Sequence, residues 1–342
     1  MAPATGRVMT LTIVMATLGL QLHLTGCVRC IHFAKSRGAP HECDPIARWW
    51  ADLECAGCVR DAKNTPQDHP VLSVNTVEKR TPGTIYLGVS LGASVDHDKM
   101  VSPIGLFKST DGAHSFSRLT QITPNDFENQ NGSIAILPNG DVVLPFYEVG
   151  NTTGSPLAHS RLWVIRCEDG GQTLSRPLFV TETRVPGPPP VAVASASLLR
   201  VFLTWVTDHR VHLWYSDNGG RTWTESGWAQ PKDVRASAEM STVAISSSGT
   251  VGVAWIKRTS ISSSGACRQL LFTASRDGGR TLLPSKPISD AAWCARGRWL
   301  AGGDYLGLVA TQDGSFMLMW ADSREGYFRL RFATVDVAEG RS

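Results

Sequence analysis

The 342-residue sequence has no extended stretch with apolar residues at helical spacing and no run of heptads, which excludes a helical bundle or a coiled coil. It also lacks a strong charge of either sign. A formal net charge of +3 is too mild for a nucleic-acid partner, and none is expected. No apolar run is comfortably long enough to cross a bilayer, and no nucleophile-elbow arrangement of Ser, His and Asp occurs. What the chain does have is 32 glycines, 19 prolines and 42% hydrophobic residues, the make-up of many short strands joined by tight turns around a large core. An all-β fold is therefore expected.

The first residues have a different character. Arg7 precedes an apolar run from Val8 to Leu20, the pattern of a secretory signal, so residues 1–26 are expected to be a signal peptide. Leu24-Thr25-Gly26-Cys27 is similar to a bacterial lipobox, in which Cys27 becomes the lipidated first residue. Two outcomes stay open: membrane attachment through Cys27, or an ordinary signal cut nearby and secretion. Eight cysteines favour export in either case, with disulfides the default in an oxidising compartment. Cys27, Cys30, Cys43, Cys55 and Cys58 crowd residues 27–68, which read as a small cross-linked extension. If residues 1–26 were retained, Cys27-x-x-Cys30 and Cys55-x-x-Cys58 could form a four-thiolate zinc site instead. The leading expectation is no metal and no cofactor. Cys167, Cys267 and Cys294 lie in residues 69–342, where Cys267 with Cys294 is the expected bridge.

Residues 69–342 are organised around an octamer. Ser216-Asp217-Asn218-Gly219-Gly220-Arg221-Thr222-Trp223 returns almost intact from Ser275 to Leu282, and more loosely from Ser109 to Phe116 and from Cys167 to Leu174. The intervals are roughly 50 to 60 residues, irregular but near the length of one four-stranded propeller blade. Physically the octamer is a hairpin corner. Its Asp or Asn bonds to the backbone, its glycines supply positive-φ positions, and its last residue starts the next strand. Between the octamers run alternating strands, among them Thr84 to Leu91, Ser133 to Tyr147 with a Pro138-Asn139-Gly140-Asp141 turn, and Val251 to Lys257. Five such units are visible.

These octamers resemble the Asp box, S-x-D-x-G-x-T-W, of the sialidase-like propellers, and Gly132 to Tyr147 resembles the G-x-x-x-x-L-x-x-G-x-x-x-x-P-x-Y segment of bacterial sialidases. The resemblance covers roughly residues 69–335 and implies a six-bladed β-propeller. It also implies that the box acids are scaffold, because in that family they lie away from the active site. Glu239-Met240-Ser241-Thr242-Val243 is similar to the segment carrying the family's catalytic glutamate. Tyr305-Leu306-Gly307-Leu308, followed by Gln312-Asp313-Gly314, is similar to its nucleophilic tyrosine segment. Asp96 or Asp98, on the loop after the first strand of blade one, sits about where the family keeps its acid, with Asp98 taken as that acid. Arg258 and Arg268, ten residues apart, are candidates for its substrate arginines, of which at most one fits the family's triad. The first of the family's arginine segments is absent, since the comparable place reads His69-Pro70-Val71.

The chemistry accounts for these residue types. A sialic acid carries a carboxylate on its anomeric carbon, which repels a carboxylate nucleophile. A phenol deprotonated by a neighbouring Glu avoids that repulsion. Arginine grips a carboxylate through paired hydrogen bonds that lysine cannot reproduce, and a separate acid protonates the leaving oxygen. The implied function is an exported exo-α-sialidase-like glycoside hydrolase with Tyr305 as nucleophile, Glu239 as its base and Asp98 as acid, acting on a glycan or glycoconjugate. The alternative is a non-catalytic cell-surface propeller that binds glycan or protein through a degenerate site.

Overall fold

In a computed structural model of the chain, the residues described are 67–76, 81–91, 94–96, 99–101, 103–122, 128–149, 159–171, 173–184, 192–195, 199–207, 210–226, 236–262, 265–295 and 306–337. They are all-β. In the first sheet β1 (Gln67–Val74) and β2 (Ile85–Leu91) are followed by a two-stranded ribbon, β3 (Ser94–Asp96) with β4 (Lys99–Val101). The sheet resumes with β5 (Ile104–Ser109) and β6 (Ser117–Ile122), in the order β1-β2-β5-β6. In the second, β7 (Glu128–Asn131) and β8 (Ala135–Ile136) both pair with β9 (Val142–Val149). Next comes β10 (His159–Glu168), on which β11 (Thr173–Leu174) and β12 (Leu178–Arg184) both pair. The third runs in sequence order through β13 (Ala192–Ser195), β14 (Val201–Thr207), β15 (Arg210–Ser216) and β16 (Thr224–Glu225). The fourth holds β17 (Ala236–Ile245), β18 (Val251–Ser262), β19 (Gly265–Ser275) and β20 (Lys286–Pro287), with β21 (Trp293–Ala295) also on β19. The fifth holds β22 (Leu306–Ala310), β23 (Phe316–Asp322) and β24 (Arg329–Val335).

The propeller expectation holds with one correction: the described residues form five blades, one for each unit visible in the sequence, rather than six. The sixth came from the family resemblance alone. No strand pattern in the sequence had called for it.

The core is a series of layers between successive blades. Tyr86, Ile104 and Leu106 of blade one meet Leu144, Phe146 and Ile165 of blade two. On the opposite face of blade two, Tyr147 and Leu162 meet Val201, Leu203 and Trp205 of blade three. Phe202 and Leu213 meet Val253 and Trp255, and Ile256 and Leu270 meet Phe316 and Leu318 of blade five. A strand covered on both faces gains nothing from polar alternation, so β2 and β14 (IYLGVSL and VFLTWVT) are buried at every position.

The octamers join third to fourth strands. In the last of them Ser275 donates to Asp277 Oδ1 at 2.7 Å and accepts from the Gly279 N–H at 2.7 Å, while the Thr281 N–H donates to Asp277 Oδ1 at 2.9 Å. Asn218 takes the same place in its octamer, accepting from the Arg221 and Thr222 N–H groups at 3.0 and 2.9 Å. Gly279 has φ +86, and a Cβ there would stand 2.4 Å from Phe202 in the preceding blade. The corners are thus pressed against their neighbours, and cations secure them. Lys108 donates to the Gly170 carbonyl at 2.8 Å, and the buried Arg166 donates to the Gly219 carbonyl at 2.6 Å. Among the described residues blade five has three strands and no third-to-fourth corner, in keeping with the lack of a clear fifth octamer.

Candidate functional site

Glu239 owes its position to a bulge. In the pairing of β17 with β18, Ala238 faces Lys257 and Met240 faces Ile256, leaving Glu239 as the extra residue. A bulge bends its strand and re-aims a side chain that regular alternation would send elsewhere. Here Glu239 is turned toward the face of blade four that carries Arg258 and Arg268. These arginines are direct cross-strand partners on β18 and β19. Like charges placed opposite each other are unfavourable unless an anion bridges them, and the Glu239 carboxylate does so.

The two arginines are held differently. Arg268 is 4% exposed and forks onto Glu239, its Nε donating to Oε2 at 2.6 Å and its Nη2 to Oε1 at 3.0 Å. Its Nη1 donates to the Ala266 carbonyl at 3.1 Å and the Ala295 carbonyl at 3.5 Å. Its donors are therefore largely committed to the protein. Arg258, 41% exposed, reaches Glu239 Oε1 at 3.6 Å and leaves most of its guanidinium facing solvent. Glu239 itself is 15% exposed.

The short strand β21 supports this arrangement from outside. Its register sets Cys294 opposite Cys267, Trp293 opposite Arg268, and Ala295 opposite Ala266. Cys267 and Cys294 form the expected disulfide, and Trp293 is buried. A disulfide next in sequence to Arg268 thus holds the strand whose carbonyl that arginine uses.

Of the residues singled out from the sequence, the structure brings Glu239, Arg258 and Arg268 together. Tyr305, Asp98 and Cys27 lie outside the described residues. Leu306, the residue after Tyr305, opens β22, and Leu308 of that strand packs in the same layer as Met240 of β17. Arg324, in the turn after β23, is bound to Asp322 and, through Nη1 at 2.7 Å, to Asp290. That pairing fastens blade five to the segment between β20 and β21 of blade four, and the Arg324 hydrogen bond holds the Asp290 carboxyl below the usual carboxylate range.

A second polar group lies between blades one and two, and the sequence reading missed it. Glu148, near the end of β9, pairs directly with Asn129 on β7 and with Arg161 on β10, a row across three strands. Ser90 of blade one donates to Asn131 Oδ1 at 3.0 Å and to the Asn129 carbonyl at 3.2 Å. The available signal was an acid closing the apolar run Val142 to Tyr147, where a solvated loop was the simpler reading.

Among the described residues there is no group of three or more His, Cys, Asp or Glu side chains that could hold a metal ion, and no helix long and apolar enough to cross a membrane.

No family model matches the chain, and no curated protein matches it in sequence. Its fold, however, is similar to solved structures. An α-L-arabinanase of Penicillium chrysogenum, complexed with arabinobiose, superposes with a TM-score of 0.54 at 12% identity, over 77% of this chain and 80% of that one. An α-L-arabinofuranosidase of Fusarium graminearum with an iminosugar inhibitor gives 0.52 at 13% identity, over 77% and 79%. The NanB sialidase of Streptococcus pneumoniae gives 0.52 at 11% identity, over 80% of this chain and 59% of that one. At such identities the likeness is one of fold, the sialidase-like propeller, and it does not choose among the activities.

Proposed function

We propose that the protein is a glycoside hydrolase acting at the end of the propeller where β17 begins, with Glu239 as the working carboxylate. The observation that carries this reading is the bulge that presents Glu239 to two arginines beside the strand that follows Tyr305. In the sialidase-type form of the reading, Glu239 accepts the proton of the Tyr305 phenol as the phenolate attacks the anomeric carbon. Asp98 protonates the departing oxygen, and Arg258 receives the substrate carboxylate. Arg268, already forked onto Glu239, keeps that carboxylate aimed. The protein would work outside the cell, secreted or held at the envelope through Cys27.

The commitment of Arg268 favours a second reading, in which the substrate is a neutral sugar. A carboxylate substrate would find Arg258 alone in this cluster, whereas a neutral glycoside needs no arginine triad. Fold neighbours named for arabinanase and arabinofuranosidase activity fit that choice.

Hydrolysis of fluorogenic α-sialosides and α-L-arabinofuranosides by wild type, Tyr305→Phe and Glu239→Gln tests both readings. The expected result is turnover of one substrate class, with Glu239→Gln slower by at least a hundredfold. Equal rates in wild type and both variants, or no turnover of either class, would leave a glycan-binding propeller without catalysis.

A further inference from the structure

Blade two carries a carboxylate that the reaction outlined above does not use. The Glu148 side chain is 5% exposed, yet its one ionic contact among the described residues is Arg161 Nη1, 3.5 Å from Oε1. An ionised carboxylate has about four lone-pair sites, and a buried one is normally saturated by donors. Leaving such sites unfilled is unfavourable, more so for a charged group, so an under-filled and mostly buried acid points to a ligand that completes it. Arg161 is itself half exposed, and its Nε lies 3.9 Å from Glu182, so its remaining donors are turned to solvent beside Glu148.

The fold sets this acid at the same end of the propeller as Glu239. Asn129 pairs with Glu148 where the innermost strand of blade two begins and the second strand ends. Glu239 lies at the corresponding level of blade four, between Ala238 and Met240 near the start of β17 and opposite the later half of β18. On the blade-one side, the Ser90 bonds to Asn131 and to the Asn129 carbonyl fix the inner strand, so the row cannot relax by shifting.

We propose that Glu148 and Arg161 form a sugar-hydroxyl subsite: adjacent hydroxyls of a neutral part of the glycan donate to the Glu148 carboxylate, and Arg161 donates to a hydroxyl or ring oxygen of the same residue. A carboxylate beside an exposed guanidinium suits a diol, which both donates and accepts. It suits an anion poorly, since Glu148 would repel it, and a lone cation poorly, since Arg161 would. The subsite deepens the glycan reading and rests on it, while its residues are separate from Glu239 and the arginines of blade four.

The test uses the full-length protein. Binding of methyl α-L-arabinofuranoside and methyl α-sialoside is titrated calorimetrically for wild type, Glu148→Gln, Arg161→Met and Glu239→Gln, and KM and kcat are measured for the matching fluorogenic glycosides. The expected result is that Glu148→Gln weakens binding, or raises KM, at least tenfold. Its kcat should stay within threefold of wild type and its melting temperature should not fall, because Gln keeps the shape and removes a poorly paired charge. For a glycoside lacking one recognised hydroxyl, wild type should lose as much as Glu148→Gln does, with no further loss when the two changes are combined. Unchanged KM and affinity in Glu148→Gln, or failure of wild type to bind either methyl glycoside, overturns the subsite. Sensitivity to Glu148→Gln with indifference to Glu239→Gln would uphold the subsite and overturn the catalytic reading instead.

Discussion

Replacing Arg268 by Met is the sharpest probe of the blade-four cluster. The change keeps an unbranched apolar side chain in a position that is 4% exposed, but removes both hydrogen bonds to Glu239 and those to the Ala266 and Ala295 carbonyls. Removing one partner of a buried ion pair costs about 3–5 kcal/mol, mostly because the remaining charge is stranded. Glu239 is 15% exposed and keeps Arg258 at 3.6 Å, so part of that penalty is relieved by water and a second cation. The lower end, about 3 kcal/mol, is therefore expected. For a domain of this size each kcal/mol moves the midpoint by about 2–4 °C, so the loss should be about 6–12 °C by thermal circular dichroism. Two further variants fix the cause. Arg268→Lys keeps the charge but not the fork and should fall between wild type and Met. Glu239→Gln in the Arg268→Met background should recover at least half of the lost stability, because it removes the stranded charge. A midpoint for Arg268→Met within 2 °C of wild type, or a double variant less stable than the single, would refute the account of Arg268 as the group that holds Glu239.

Two other predictions concern the scaffold. Hydrogen bonds from Thr281 and Ser275 hold the folded-state pKa of Asp277 well below that of the unfolded chain. Its contribution to stability is thus complete above the unfolded value, about pH 4, and fades as the pH falls below it toward the folded pKa. Asp277→Asn copies the natural Asn218 corner, so the gap in melting temperature between wild type and this variant should be full near neutrality and narrow progressively as the pH falls below about 4; a constant gap contradicts the assignment. For the disulfide, Cys267 and Cys294 stand 27 residues apart. Loop-closure entropy then gives roughly 3–4 kcal/mol for the link. Cys267→Ser with Cys294→Ser should lower the melting temperature accordingly and also slow glycoside turnover, since β21 supplies a carbonyl to Arg268. Lowered stability with turnover unchanged would separate the disulfide from the site.

The blades were legible because each corner repeats one local chemistry. Ser275, Asp277, Gly279 and Thr281 form a closed set of short-range bonds, so their spacing is written in consecutive residues. The second corner shows how far the pattern can drift. Cys167 stands in the serine position, buried and without a hydroxyl to close the turn, and that corner depends instead on Arg166 and Lys108. The clamps between corners, Arg166 to Gly219 and Lys108 to Gly170, join residues more than fifty positions apart, and no local pattern announces them. The blade count failed for a related reason: closure of a propeller is a property of the whole ring, and the six came from a resemblance instead of from strands in the sequence.

For the candidate site, the family resemblance pointed to Glu239, Arg258 and Arg268, but not to their relation. A spacing of ten positions between Arg258 and Arg268 suggested rivals for one role. The β18–β19 hairpin makes them cross-strand partners instead, and the bulge at Glu239 supplies the anion that lets them coexist. A one-residue register shift is invisible in a sequence that alternates normally on either side of it. Glu148 was hidden in the opposite way: it continues an apolar strand past the point where burial was expected to end, and only the pairing of β7, β9 and β10 shows that the strand is still covered there. Both acids are thus products of register, one from a bulge and one from strand length. A shift of one residue in β9 would send Glu148 to the other face, among the apolar side chains Tyr147 and Leu162 and away from Arg161. The polar rows at this end of the propeller are therefore strict requirements on strand pairing.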